Sequence, residues 1–305
     1  DVIARFPLLW WRMRQTVRAI CRAQPAIVVL VDSQVFSATA ARQARQAGYE
    51  GPILLYVAPS VWAWKPERAM ELNGVFDEVL AVLPFEPRAM ADLGGPETSY
   101  VGHPALAQIG FRNGVPERGP LLLLPGSRGG ELRRHLPVME QVAAALAGHR
   151  RVSGFVLPTP SSQLAEVNAA VAGWASPVKV VSTPEEKADA FTAAVAAAAV
   201  SGTVTLELAL VGVPMAVTYI ADPGQHRRWV RAGSPRAALP NIIAGHEVVP
   251  ERIAAEPQPA WLIGEMQKLL DAPQVASAQL EAFHAIRATM ETGISDPAGR
   301  VLSHL

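Results

Sequence analysis

The amino-acid sequence has almost no cysteine, no surplus of either charge and no long apolar run. Cys21 is the single cysteine among 305 residues, which excludes an internal disulfide framework and fits a reducing compartment. The 27 basic side chains equal the 27 acidic ones, so a general nucleic-acid binder is not expected. No apolar run reaches the roughly 18 residues of a membrane-spanning helix. The histidines show no metal-ligand spacing, so neither a metal nor another cofactor is expected.

What the sequence does contain is a repeated alternation of strand and helix patterns, which is typical of α/β domains with parallel sheets. Half of the residues are apolar, and 305 residues suffice for two domains of ordinary size. The stretch 107–120 is rich in glycine and proline, and the alternation restarts after it. We therefore predict two Rossmann-like domains and a helical tail, with bounds 1–112, 113–260 and 261–305.

The stretch 201–215 organises the rest of the prediction. A buried strand over 195–200 leads into Ser-Gly-Thr, and a helix is predicted over 203–211. The N–H groups of that helix start suit a diphosphate, and a carboxylate one turn later suits a ribose diol. An ordinary capped helix with a solvated glutamate fits the spacing equally well. The candidate residues are Ser201, Gly202, Thr203, Thr205 and Glu207.

A second candidate phosphate site is the glycine-rich loop between a strand over 121–124 and the next helix. Around Gly126 and Ser127 the backbone is predicted to expose N–H groups, and Arg128 adds a charge that can fork onto phosphate oxygens. The loop lacks the Lys-Ser/Thr of a P-loop, so ATPase chemistry is not implied. The alternative is a plain glycine-rich turn with a surface arginine.

Several single residues have both a functional and a structural interpretation. Asp32 follows a strand over 27–31, where it is either a general base for a sugar hydroxyl or a cap or loop aspartate. Asn241 lies in an apolar run and needs partners, which a ligand or the local backbone can supply. Trp62 and Trp64 either line a pocket or pack in a core.

The first helix is predicted over 6–22, with apolar residues at helical spacing and arginines between them. Two of its apolar residues are the tryptophans Trp10 and Trp11. Basic residues beside tryptophans fit a helix that lies in a membrane interface. A core-facing helix with solvated arginines fits as well, so both alternatives stay open.

Six short segments follow one another along nearly the whole chain and are informative as a series. They read PSVWAWKPER (59–68), LPFEP (83–87), YVGHP (100–104), LLPGSRGGEL (123–132), SGTVTLELALVGVPM (201–215) and LPNIIAGHEVVPE (239–251). Each segment alone is a weak signal, but the six in this order are specific. Together they resemble the lipid-A-disaccharide synthase family.

The resemblance implies a GT-B glycosyltransferase, in which two Rossmann-like domains face a cleft. Such an enzyme joins UDP-2,3-diacylglucosamine to 2,3-diacylglucosamine 1-phosphate and releases UDP, without a metal, at the cytoplasmic face of the inner membrane. By resemblance, the loop at 126–128 and the helix after Ser201 bind UDP, with Glu207 on the ribose and Asn241 completing the site. Asp32 matches the essential aspartate, and Arg128 stabilises the departing UDP. A homodimer is compatible with the resemblance, but the sequence does not fix the oligomeric state.

The chain departs from the family pattern in two places. The family begins with a strand and a Gly-Glu-Ala-Ser-Gly-Asp loop that this sequence does not contain, so an incomplete N-terminal domain is expected. The family's Asp-Ala-Pro-Asp-Phe-Asn reads DSQVFS at 32–37, without the second acid and the asparagine. Two alternatives to an inverting glycosyltransferase therefore stay open: a non-catalytic nucleotide-sugar-binding relative and a UDP-sugar epimerase on the same plan.

Overall fold

The computed structural model describes residues 6–63, 65–108 and 110–305, and Trp64 lies outside these ranges. The chain divides into two compact units, unit 1 (Asp1–Pro104 with Met290–Leu305) and unit 2 (Ala105–Thr289). Each unit is α/β with a parallel sheet, which confirms the predicted fold class. The domain bounds expected from the sequence differ from this division and stay a prediction about functional domains.

Unit 1 is built on a four-stranded parallel sheet in the order β1-β2-β3-β4. Short apolar runs form its strands, and the two middle strands are almost fully buried. The edge strand is different, since its last residue, Val31, is 63% exposed. The strands are β1 (Val28–Val31), β2 (Ile53–Tyr56), β3 (Glu78–Ala81) and β4 (Thr98–Tyr100).

The helices of unit 1 come from both ends of the chain. The first helix packs on the second and buries Met13 and Ile20. The last helix returns to the sheet, where Arg300 and His304 each contact the buried carboxylate of Glu78 at 2.7 Å. The helices are α1 (Phe6–Ala23), α2 (Gln34–Gln46), α3 (Glu67–Glu71), α4 (Glu86–Asp92) and α14 (Pro297–Leu302).

Unit 2 is built on a six-stranded parallel sheet in the order β10-β9-β8-β5-β6-β7. Its central strand β8 is AAAAV and is buried at every position, as expected for a strand covered on both faces. The strands are β5 (Gly119–Leu124), β6 (Val152–Pro158), β7 (Val178–Val181), β8 (Ala196–Val200), β9 (Met215–Ile220) and β10 (Glu251–Ala254).

The helices of unit 2 mostly connect consecutive strands, and the last of them continues into unit 1. Among the described residues, no helix is both long and apolar enough to cross a membrane. The helices are α5 (Ala105–Gln108), α6 (Gly129–Leu146), α7 (Leu164–Val171), α8 (Pro184–Ala193), α9 (Thr203–Val211), α10 (Pro223–Arg231), α11 (Leu239–Ala244), α12 (Pro259–Asp271) and α13 (Pro273–Glu291).

The sequence predicted the element types well and some bounds less well. The bounds of α9 and β7 are confirmed, and α1 ends at Ala23 instead of Arg22. The helix expected from Ser37 begins at Gln34, because Ser37 N–H donates to Ser33 O and so closes the first turn. Strand β5 begins at Gly119, inside the stretch predicted as a linker.

Candidate functional site

A cavity of about 490 Å³ lies at the carboxyl edge of the unit 2 sheet. Residues that follow β5, β6, β7 and β8 form its walls, together with the first turns of α8 and α9. Open parallel sheets bind their ligands at this edge. The predicted site residues that line the cavity are Gly126, Ser127, Arg128, Ser201, Gly202, Thr203 and Glu207.

The loop after β5 already binds a carboxylate of the chain itself. Ser127 N–H and Arg128 N–H donate to Glu131 Oε2 at 3.0 and 3.3 Å, and Arg128 Nη1 lies 3.0 Å from Glu131 Oε1. Gly126 has φ +103°, and a Cβ there would lie 2.6 Å from Glu131 Oε2, so glycine is needed for this wrap. The expectation that these two N–H groups are exposed to phosphate is therefore wrong, because they cap α6.

Helix α9 begins without a comparable cap. Its N-cap residue is Gly202, no side chain accepts a cap hydrogen bond, and its first turn contains no acidic residue. Ser201 Oγ donates to Ala237 O and Thr205 Oγ1 donates to Gly202 O, both at 2.8 Å, so the interpretation of either hydroxyl as a helix cap is wrong. The positive end of the α9 dipole thus faces the cavity without an anion from its own first turn.

Glu207 forms an ion pair inside the cavity. Its Oε2 lies 2.5 Å from Lys187 Nζ, and the two side chains are 23% and 39% exposed. Lys187 comes from α8 and also lies over the Phe191 ring at 5.3 Å. A purely solvated Glu207 is therefore wrong. Sequence reasoning missed Lys187, since a lysine in a PEEK helix start looks like an ordinary surface charge.

Two predicted site residues do not line the cavity. Thr205 is buried in α9, with its hydroxyl bonded to backbone as described. Asn241 is also fully buried, and its Oδ1 accepts from Val248 N–H and Val249 N–H at 2.7 and 2.9 Å. Its Nδ2 donates to Val249 O at 2.9 Å. Of the two alternatives for Asn241, the local backbone is the partner.

Asp32 lies at the carboxyl edge of the other sheet, in unit 1. It is exposed, and it and Ser33 have left-handed backbone with φ of 50° and 44°. Val57, which follows the neighbouring strand β2, has φ 77°. Non-glycine residues held in this region store strain, which concentrates at functional sites. No side chain caps α2, so Asp32 is a loop aspartate and its interpretation as a cap is wrong.

A second carboxyl group of unit 1 is deeply buried after β3. Glu86 Oε2 accepts from Leu83 N–H at 3.0 Å, and Oε1 accepts from Trp62 Nε1–H at 3.3 Å. Burial raises the pKa of Glu86 to about 7, although these hydrogen bonds oppose the shift. Trp62 also packs edge-on against Phe85 at 5.1 Å, so its role is packing. Sequence reasoning did not single out Glu86, although it lies in the LPFEP segment.

No group of three His, Cys, Asp or Glu side chains that suits a metal ion occurs within residues 6–63, 65–108 and 110–305. Comparison with known proteins identifies the family. Residues 1–297 match the family model described as lipid-A-disaccharide synthetase. The chain belongs to the lipid-A-disaccharide synthase family. It is therefore a glycosyltransferase of lipid A disaccharide synthesis, and the family resemblance of the six sequence segments is confirmed.

Curated relatives with the name lipid-A-disaccharide synthase match almost the whole chain. The one from Nitrobacter winogradskyi is 39% identical over 97% of this chain and 77% of its own length. The one from Rhodopseudomonas palustris strain CGA009 is 39% identical over 98% of this chain and 78% of its own length. The one from Gluconobacter oxydans is 34% identical over 98% of this chain and 74% of its own length.

Solved structures with low sequence identity support the fold alone. The S. aureus MnaA–UDP structure has a TM-score of 0.59 at 12% identity and covers 90% of this chain and 75% of its own. The UDP-forming α,α-trehalose-phosphate synthase from Burkholderia vietnamiensis has a TM-score of 0.56 at 13% identity and covers 96% and 78%. These similarities confirm the GT-B fold class expected for the synthase family.

Proposed function

We propose that this synthase transfers 2,3-diacylglucosamine from UDP-2,3-diacylglucosamine to 2,3-diacylglucosamine 1-phosphate, giving lipid A disaccharide and UDP. The observation that carries the proposal is the start of α9, which lines the unit 2 cavity without a side-chain cap. A diphosphate fits there because the helix dipole and the N–H groups of the first turn attract an anion. The cavity belongs to the predicted UDP-sugar domain, and Asp32 to the predicted acceptor domain.

In this proposal the UDP diphosphate lies at Gly202 and Thr203, beside the Ser201 hydroxyl. The Arg128 guanidinium, which is 84% exposed at the cavity, contacts a phosphate oxygen and stabilises the charge that develops on the departing UDP. Glu207 accepts hydrogen bonds from the ribose hydroxyls, and the ion pair with Lys187 holds its carboxylate in the cavity. The N–H groups of Ser127 and Arg128 take no part, because Glu131 occupies them.

Asp32 is the proposed general base. The acceptor 6-hydroxyl loses its proton to the Asp32 carboxylate while its oxygen forms a bond to the anomeric carbon of the donor. The bond from that carbon to the β-phosphate oxygen breaks, and its electron pair leaves with UDP. Attack opposite to the leaving group inverts the anomeric configuration. The exposure of Asp32 and the strained backbone at 32–33 support this role.

Activity is tested by incubating the chain with both acylated substrates and measuring UDP release together with disaccharide formation by mass spectrometry. We expect equal amounts of both products, and no UDP release when the acceptor is omitted. UDP binding without disaccharide formation would support the non-catalytic alternative. A donor sugar epimerised in the absence of acceptor would support the epimerase alternative.

We further propose that α1 holds the protein on the cytoplasmic surface of the inner membrane, where the acylated substrates lie. Trp10 and Trp11 are 52% and 48% exposed, and Leu8 and Leu9 are exposed beside them. The side chains of Arg14 and Arg12 lie over the rings of Trp10 and Trp11 at 4.5 and 5.0 Å. Aromatic rings at the headgroup boundary and arginines facing anionic lipid would support such a contact.

The membrane proposal is tested by sedimentation with anionic vesicles at low and high salt. We expect binding that weakens as salt screens the arginines, and its loss in a Trp10→Ala/Trp11→Ala variant. A matched control is Met70→Ala/Leu302→Ala, which removes exposed apolar side chains elsewhere in unit 1 and should still bind. Wild-type protein that stays in the supernatant at low salt would contradict the proposal.

A further inference from the structure

Thr159 carries a buried hydroxyl that has no hydrogen-bond partner. The residue follows β6, lines the cavity and is 6% exposed. Its Oγ1 is one of two buried side-chain polar atoms without a partner in the described part of the chain, and the other, in Arg112, is not at the cavity. An unsatisfied buried hydroxyl is costly and rare, so its persistence at a ligand cavity calls for an occupant.

The backbone of Thr159 is held firmly. Its N–H donates to Val181 O at 2.9 Å, which joins the ends of β6 and β7. Pro158 and Pro160 flank it and restrict the chain on both sides. The hydroxyl is therefore presented from a rigid position, which suits recognition of a ligand group more than a movable surface contact.

Strand order places Thr159 toward one end of the cavity. The proposed diphosphate contacts follow β5 and β8, which are neighbours, whereas β6 and β7 continue the sheet on the other side of β5. Adjacent strands are about 4.8 Å apart, so the end of β7 lies about 14 Å from the end of β8. A nucleoside diphosphate with its phosphates at α9 thus extends its nucleoside toward Thr159.

The walls at this end suit a flat ring with a polar edge. Proline and valine side chains line it, and they offer rigid apolar surface: Pro158, Pro160, Val181 and Pro184. The N–H groups of Ser182 and Thr183 are already engaged by Glu186 Oε2 at 3.3 Å each. Thr159 Oγ1 is therefore the shielded polar group that a base entering this end would meet.

We propose that Thr159 Oγ1 hydrogen-bonds the polar edge of the uracil base of UDP. This inference rests on the proposed UDP site and adds a binding residue that the family-derived site did not include. The free chain tolerates the orphaned hydroxyl because the bound base satisfies it. Removal of the hydroxyl at constant shape should then weaken UDP binding without harming the free protein.

The test is calorimetric titration of wild type, Thr159→Val and Thr159→Ser with UDP and, separately, with inorganic pyrophosphate. For Thr159→Val we expect about a tenfold weaker UDP affinity, an unchanged pyrophosphate affinity and an unchanged or higher melting temperature. Thr159→Ser retains the hydroxyl and should bind UDP nearly as well as wild type. Thr192→Val is the matched control, since the Thr192 hydroxyl bonds to Ala188 O within α8 and does not line the cavity.

Three results would overturn the assignment, and they differ from one another. Unchanged UDP affinity in Thr159→Val shows that the hydroxyl does not contact the base, while the UDP site itself stands. Equal losses for UDP and pyrophosphate show that Thr159 acts on the phosphate end instead. Wild-type protein that binds neither probe removes the proposed UDP site and this inference with it. If Thr159→Val fails to fold, the same comparison is made with Thr159→Ala.

Discussion

The carboxyl edges of the two sheets are built in different ways. In unit 2 the edge encloses a cavity in which the cations Arg128 and Lys187 each pair with a carboxylate of the chain. In unit 1 the edge presents Asp32, which is exposed on left-handed backbone. A prebuilt, charge-balanced cavity is suited to bind a ligand of defined shape. An exposed carboxylate on strained backbone is suited to take part in chemistry, because a base must reach the proton that it removes.

Buried carboxyl groups sharpen the contrast within unit 1 itself. Burial tends to raise the pKa of Glu78, but hydrogen bonds from Ser99, His304 and Arg300, together with the charge of Arg300, outweigh burial and lower it. Glu86 accepts hydrogen bonds from neutral donors, and there burial prevails and raises the pKa to about 7. The nature of the partner, not burial alone, therefore decides which carboxyl group stays ionised at neutral pH.

The largest effect is expected from Asp32→Asn, which separates chemistry from binding. Loss of the general base should lower disaccharide formation by about 10²–10⁴-fold. UDP affinity should stay unchanged, because Asp32 does not line the unit 2 cavity. Disaccharide formation and UDP titration are measured on the same preparation. Asp92→Asn, a change of the same kind at an exposed site of unit 1, should retain activity. Wild-type rates in Asp32→Asn would exclude Asp32 as the base.

A smaller effect is expected from Glu86→Gln, and it concerns stability. A raised carboxyl pKa means that the folded state holds its proton between the ordinary value, 4.5, and about 7. In that window the folded state binds more protons than the unfolded state, so wild-type stability falls as pH rises. The loss should reach about 3 kcal/mol above pH 7, since one pKa unit corresponds to about 1.4 kcal/mol. Glu86→Gln should remove this pH dependence.

The Glu86 prediction is measured by denaturant unfolding of wild type and variant from pH 4.5 to 8. The control is Glu50→Gln, an exposed carboxylate of the same unit, which should keep the wild-type slope. The difference between the curves matters more than their absolute level, because the amide changes the local hydrogen bonds at every pH. Parallel curves for wild type and Glu86→Gln would show that Glu86 does not carry the pH dependence.

Arg128→Ala should weaken UDP binding by roughly 1.5–3 kcal/mol, the usual value for a charge-assisted hydrogen bond. The lower end is expected, because the side chain is 84% exposed and solvent competes for it. Calorimetry measures the change, and Arg133→Ala on the same helix is the control, since Arg133 does not line the cavity. Unchanged affinity in Arg128→Ala would contradict a phosphate contact.

How much of this the sequence could reveal depends on the range of the interactions involved. The bounds of α9 follow from Gly202 before it and Gly212 after it, so local signals sufficed. The sheet edge that carries the cavity follows from strand–helix alternation alone. The family resemblance added the substrate class, which no local pattern contains.

Partners distant in the chain or decided by competition could not be predicted. The pair of Lys187 with Glu207 joins two helices and leaves no mark in either one's sequence. Asn241 had two sets of partners open to it, and the loop at 248–249 provided the hydrogen bonds. One missed feature did have a signal: Glu131 stands three residues after Arg128, where a capping carboxylate binds the N–H groups of the turn before it.

The smallest change in UDP affinity is expected from Glu207→Gln, and it tests the cavity's charge balance. The variant loses the carboxylate that accepts from the ribose, but it also releases Lys187 from its ion pair, and the freed ammonium attracts the diphosphate. These effects oppose each other, so UDP affinity should change by about 1 kcal/mol or less. Discrimination between UDP and 2′-deoxy-UDP should nevertheless disappear, because only the carboxylate reads the 2′-hydroxyl. Titration of both nucleotides measures it, with Glu185→Gln as the control outside the cavity. Discrimination that persists in Glu207→Gln would assign the ribose to another residue.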